Sequence, residues 1–189
     1  MGLFLEKIMT SIKHIQTQIG TTADGIWGDK SKQALKSAIN DGKIITITKN
    51  ISLNELLASN TAKKYGIDNT PNQTILQNLI DASVNLYQPV REILGVPIII
   101  TSGYRCPALN KAVGGSATSA HMSGYAIDFR SPRFGTPKLI VPHIVRKLKE
   151  KGIGFDQAII EYPNSPRSWV HLGYKRPSGR QRGSSFVIG

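Results

Sequence analysis

The chain has 189 residues, enough for one sizeable hydrophobic core with at most a small appendage. Lysine and arginine outnumber aspartate and glutamate by 24 to 12, and the resulting formal charge of +12 calls for an anionic partner. The chain shows no C-x-x-C pair, aromatic RNA-binding signature or arginine-rich arm, so no nucleic-acid partner is expected, and the lone Cys106 can form neither an internal disulfide nor a closed thiolate zinc site.

The start, Met1 to Met9, is apolar but short and is broken by Glu6 and Lys7, which makes it a poor signal peptide. Nowhere does the chain approach the roughly 18 unbroken apolar residues of a transmembrane helix. Ile8, Ile12, Ile15 and Ile19 recur at helical spacing, and a second helix follows from Lys30 to Ile39, with Asp29 placed to cap it. Ile26 and Trp27, between the two, are core candidates if this hairpin packs on the rest of the chain. A short strand is expected over Ile44 to Thr48. Ser52-Leu-Asn-Glu55 has the spacing of a capping box, and Thr70-Pro-Asn-Gln73 repeats the signal with proline at the first helical position. From Ile75 to Leu94 apolar residues recur at periods of three and four, predicting one long helix that Gly95 ends.

Pro97 to Thr101 is a short β-branched run between turn residues, expected as a buried strand, and residues 125–129, 157–162 and 168–174 supply three more. Thr136-Pro137 opens a further helix that carries Leu139, Ile140, Ile144, Val145 and Leu148 and stops at Gly152. Helices followed by mostly antiparallel strands indicate an α+β domain. From Lys175 onward four basic residues among Pro, Ser and Gly read as a mobile surface tail, with Phe186 to Ile188 able to dock back.

The chemistry concentrates between Ser102 and Asp128. Ser119-Ala-His-Met-Ser-Gly-Tyr-Ala-Ile-Asp128 sets a histidine and an aspartate seven positions apart, and His171 follows far downstream in Trp169-Val-His171. Three ligands drawn from histidine and carboxylate leave the fourth position of a tetrahedral zinc open for water, as in catalytic sites. Gly124 lets the backbone bend closely between His121 and Asp128. His14 and His143 fall on predicted helices outside any motif and read as non-ligands.

The run SGYRCPALNKAVGGSATSAHMSGYAIDF, followed by FDQAIIEYPNSPRSWVHLGY, resembles the zinc peptidases that cut D-amino-acid bonds in peptidoglycan. That group comprises D-alanyl-D-alanine carboxypeptidases and L-alanyl-D-glutamate endopeptidases, with the Hedgehog signalling domain as a distant structural relative. The resemblance implies an α+β zinc domain over residues 46–175, a small antiparallel sheet flanked by helices, with Zn2+ held by His121, Asp128 and His171. It implies that Arg105 faces a substrate carboxylate or the oxyanion, a role suited to a fixed cationic fork. Ser119, Trp169 and Tyr104 fall at substrate-binding positions. Many members carry an acidic residue three positions before the last histidine, where this chain has Ser168. The general base is therefore expected from Glu161, in a Phe-Asp-x-x-x-x-Glu run similar to that of the Hedgehog domain, with Asp156 as the alternative.

The phrase IQTQIGTTADGIWGDKSKQAL resembles a truncated peptidoglycan-binding repeat, which makes residues 1–45 either a wall-binding element or a packing hairpin. Residues 176–189 complete the division as a basic flexible tail. The implied activity is hydrolysis of peptidoglycan stem peptides by a monomeric zinc peptidase, a phage or prophage lysis enzyme that reaches the wall by pore-mediated release or phage delivery. A non-catalytic, zinc-stabilised wall-binding module and a phage structural protein are the alternatives.

Overall fold

The computed structural model describes residues 11–189, so Ile8 and the apolar start lie outside the described residues. Helices α1 (Ile12–Gln18) and α2 (Asp29–Asn40) form the N-terminal hairpin. Ser11 caps α1, its hydroxyl accepting from the backbone of His14. Asp29 does not cap α2: Gly28 takes that position, and Asp29 is the first helical residue, where its charge still suits the helix dipole. Trp27 is buried, its indole N–H donating to the Pro71 carbonyl at 3.0 Å, whereas Ile26, expected beside it in the core, is 67% exposed. The side chains of Ile12, Ile15, Ile19, Trp27 and Leu35 join the same apolar core as the rest of the chain.

Residues 44–48 do not form the expected strand; a single bridge joins Thr46 to Ser52. Side chains and a tight turn rather than a partner strand satisfy this backbone: the Ile45 and Thr46 N–H groups donate to Asn54 Oδ1 and Gln18 Oε1, each at 2.8 Å, and those of Ile47 and Thr48 to the Ile51 carbonyl. The capping box at Ser52 and Glu55 forms as expected and opens α3 (Leu53–Leu57), after which α4 (Asn60–Tyr65) ends at Gly66. The next helix begins two residues later than its proline predicts: Asn72 is the cap, and Pro71 precedes it. What reads as one long helix is α5 (Gln73–Ala82), a π-helical turn (Ser83–Tyr87) and α6 (Gln88–Leu94), closed by Gly95 at a φ of 65°. Pro89 has no N–H to give the preceding turn, and the widened turn accommodates that loss.

The sheet has the order β1-β2-β4-β3-β5. Its strands are β1 (Ile99–Ser102), β2 (Ala126–Arg130), β3 (Gln157–Glu161), β4 (Trp169–Gly173) and β5 (Ser184–Ile188). β1 is not buried as expected but lies at an edge, with Ile99 54% exposed. The C-terminal segment is not a mobile tail throughout: Phe186 to Ile188 dock back as expected, within β5, which pairs in parallel with β3 and departs from the otherwise antiparallel pattern. Short α7 (Pro107–Ala112) precedes the 3-10 turn Ala120–Ser123, and α8 (Pro137–Glu150) packs against β3, β4 and α6.

Alternation along the strands divides the sheet's two faces. Ile127, Phe129, Ala158, Ile160, Val170 and Leu172 are buried in the core. The register pairs Ser102 with Asp128, Asp128 with His171 and His171 with Ile159, so these residues share the other face, and the Glu161–Trp169 pair continues it two residues along.

Candidate metal centre

His121 is carried on the 3-10 turn, which Gly124 ends at a φ of 73°, reversing the chain into β2 and Asp128. Asp128 stands directly opposite His171 across the β2–β4 ladder. The three side chains converge. His121 Nε2 lies 3.2 Å from Asp128 Oδ1 and 3.2 Å from His171 Nδ1, and His171 Nδ1 lies 2.9 Å from Asp128 Oδ1. Ligands about 2.0–2.1 Å from a tetrahedral zinc stand about 3.3 Å from one another, so this triangle fits the ion closely.

The protonation pattern points the same way. His121 Nδ1 faces the carbonyl of Gly103 at 2.7 Å, and because a carbonyl only accepts, that nitrogen carries the proton. Burial pushes the His121 pKa down, against the upward pull of Asp128, which keeps the ring neutral with a lone pair on Nε2. Burial pushes the Asp128 carboxyl up, but the adjacent His121 and His171 rings outweigh it and hold it well below the usual carboxylate range. The result is an unprotonated nitrogen and a carboxylate oxygen crowded together beside a second imidazole, a donor set that a cation would satisfy.

The second oxygen of Asp128 is engaged by Arg105, whose Nη2 donates to Oδ2 at 2.6 Å while its Nε donates to Ser102 Oγ at 2.9 Å. Oδ1 is thereby left to the metal triangle. Arg105 is thus neither free at the surface nor wholly committed, because its Nη1 makes no hydrogen bond among the described residues. Glu161 sits diagonally from His171 rather than directly opposite it, and burial raises its pKa above the usual value despite the opposing pull of His171 and Arg105. Trp169 is half-buried on the same face, its ring 5.2 Å from that of Tyr162. Ser168 donates its hydroxyl to the Glu161 carbonyl at 2.9 Å.

Two expected site residues take other positions. Tyr104 is only 7% exposed and belongs to the core, so its ring does not line an open site. Asp156 is occupied: Arg182 grips its two oxygens at 2.7 and 2.6 Å. Ser119 caps the 3-10 turn by accepting from the His121 N–H at 3.4 Å. His14 and His143 lie outside the metal-ligand group, and Cys106 caps α7 through its sulfur.

Sequence reading misses the scaffold behind the ligands. Gly103 runs so close to α3 that a Cβ there would stand 2.3 Å from the Leu56 carbonyl oxygen, which accepts from Tyr104 N–H at 2.7 Å. Asn69 fastens the same loop, donating to the Tyr104 carbonyl at 2.9 Å and accepting from the Cys106 N–H at 2.8 Å. The glycine is visible inside its motif, but nothing in the sequence around Asn69 signals this contact. In comparison with known proteins, the family model described as Peptidase M15 matches residues 49–172, about two thirds of the chain. No curated protein matches.

Proposed function

The chain belongs to the peptidase M15 family and is a zinc metallopeptidase; on that premise we propose that it hydrolyses stem peptides of bacterial peptidoglycan, at an L-alanyl-D-glutamate or a D-alanyl-D-alanine bond. The observation that carries this reading is the triangle of His121 Nε2, Asp128 Oδ1 and His171 Nδ1 on a face that also holds an acid with a raised pKa. Zinc held by these three residues supplies Lewis acidity, making water acidic near neutral pH and polarising a carbonyl. Glu161 takes the proton from the attacking water as the carbon–oxygen bond forms, then passes it to the amine as the carbon–nitrogen bond breaks. A pKa raised by burial suits a group that must accept a proton and then donate it. Arg105 fixes Asp128 through Nη2 and offers Nη1 to substrate carboxylate or developing negative charge. Ser119 and Trp169 contact substrate on either side of His171.

In this reading residues 46–175 form a zinc domain of the Hedgehog and D-alanyl-D-alanine-peptidase type. The N-terminal hairpin serves as a packing element, since Trp27 is committed to Pro71. The biological role is that of a phage or prophage lysis enzyme. No helix among the described residues is long and apolar enough to cross a membrane; in this reading a partner pore or a phage particle delivers the protein to the wall. The test is mass analysis of purified muropeptides after digestion, with zinc and after chelation. Zinc-dependent loss of a single alanine identifies a carboxypeptidase, and release of a longer peptide an endopeptidase. Wall affinity without new amino groups would replace this reading with a binding module.

A further inference from the structure

The family match ends at residue 172, yet the chain beyond it builds part of the site. Arg176-Pro-Ser-Gly179 is a tight turn, with Gly179 N–H donating to the Arg176 carbonyl at 2.8 Å and Arg176 N–H to the Arg180 carbonyl at 2.9 Å. Both ends of the turn are fixed. Gln181 donates to the Tyr174 carbonyl at 3.0 Å, Arg182 grips Asp156, and Gly183 N–H donates to the Phe155 carbonyl at 2.9 Å before β5 begins. The turn and the 116–120 loop both line a cleft of about 460 Å³ that also has His171 in its lining. Ser116, Thr118 and Ser119 contribute to the lining from the loop, and Arg176, Pro177 and Ser178 from the turn.

Charge in this cleft is uneven. Asp156 and Arg182 neutralise each other through a two-point ion pair. The Arg176 side chain forms no ion pair or hydrogen bond among the described residues, and it shares the cleft lining with three hydroxyl-bearing residues from the 116–120 loop. Gln157, also in the cleft lining, begins β3 while Glu161 ends it, so this subsite lies about 13 Å along the strand from the proposed base.

We propose that residues 174–183 are a specificity wall and that Arg176 binds a free carboxylate of the substrate peptide, on the far side of His171 from Glu161. This rests on the peptidase reading and adds a substrate class: stem peptides whose carboxylate at that position is not amidated. A guanidinium can take a carboxylate at two points, a geometry that a neutral carboxamide cannot match in charge.

The experiment measures binding by calorimetry, in the zinc-loaded Glu161→Gln protein so that turnover does not intrude. The probes are a synthetic stem pentapeptide and versions in which each free carboxylate in turn is a carboxamide. One amidation should weaken binding roughly tenfold or more, the size of a lost charge-assisted contact. Adding Arg176→Gln should erase that difference while zinc content stays constant, and Arg176→Lys should restore part of it. Equal affinity for all peptides, an equal loss across them in Arg176→Gln, or no binding at all would overturn the proposal. Outcomes for the wall and for hydrolysis separate cleanly. Carboxylate-selective binding by a wild-type protein that releases no product keeps the wall and removes the hydrolytic reading, whereas hydrolysis without carboxylate preference does the reverse.

Discussion

The two faces of the central sheet use the same strands for opposite ends. Phe129 and Val170 point into the core, while their sequence neighbours Asp128 and His171 point into the metal triangle. One face is uniformly apolar, and the other gathers ionisable groups whose pKa values are displaced in opposite directions, Asp128 downward and Glu161 upward. The pleat is what allows this, because successive side chains leave a strand on opposite sides. The core-facing residues fix the strand register, and the register in turn fixes the spacing of the ligands; a slip by one residue would turn Asp128 into the apolar core and Phe129 onto the metal-binding face. Stability and chemistry are therefore coupled through the backbone and separable by side chain.

Substitutions can break that separation. The largest effect on turnover should come from His121→Ala, which removes one corner of the metal triangle: bound zinc should fall well below one equivalent and hydrolysis to background. Full metal content in this variant would take His121 out of the ligand set. Chelation of the wild type should reproduce the loss, and zinc should reverse it.

Glu161→Gln should be next, with zinc content and fold retained and kcat lower by roughly 10² to 10⁴. Its pH profile supplies a second check. The base works only unprotonated, and burial raises its pKa, so activity should fall with decreasing pH through a limb lying above the ordinary glutamate value of 4.5. That limb should be missing from the residual activity of Glu161→Gln. Asp156→Asn should cost much less, because both oxygens of Asp156 already serve Arg182; an inactive, zinc-bound Asp156→Asn beside an active Glu161→Gln would reverse the two roles.

The smallest effect on turnover per folded molecule belongs to the core face. Phe129→Ala empties a fully buried ring position and should lower stability by about 3–5 kcal/mol in denaturant titration. Under conditions where the variant stays folded, its kcat should remain close to that of the wild type. A large fall in kcat with unchanged stability would show that the two faces are not separable.

Much of the architecture is legible along the chain. The capping box at Ser52, the apolar periodicity from Ile75, the helix opened by Thr136-Pro137 and the strands carrying Asp128, Glu161 and His171 all rest on local rules of spacing and hydrogen-bond satisfaction. The errors share a cause. Residues 44–48 carry a strand-like pattern but meet side chains and a tight turn instead of a partner strand, β1 reads as buried but lies at an edge, and the basic tail reads as mobile up to Phe186 although pairing with β3 already begins at Ser184. Each outcome depends on what lies across from the segment, which composition does not encode.

The same division holds at the site. From the sequence come the identities of His121, Asp128 and His171, the family they resemble, and the absence of an acid at Ser168, because these depend only on residue type and order. Tertiary structure alone decides that Arg105 holds the outer oxygen of Asp128, that Tyr104 is buried, that Asp156 is bound by Arg182, and that Arg176 borders the cleft. These are contacts between groups 23 to 26 positions apart or more, or burial against distant elements. Their energies depend on distance and solvent exclusion, which exist only once the sheet has closed around them.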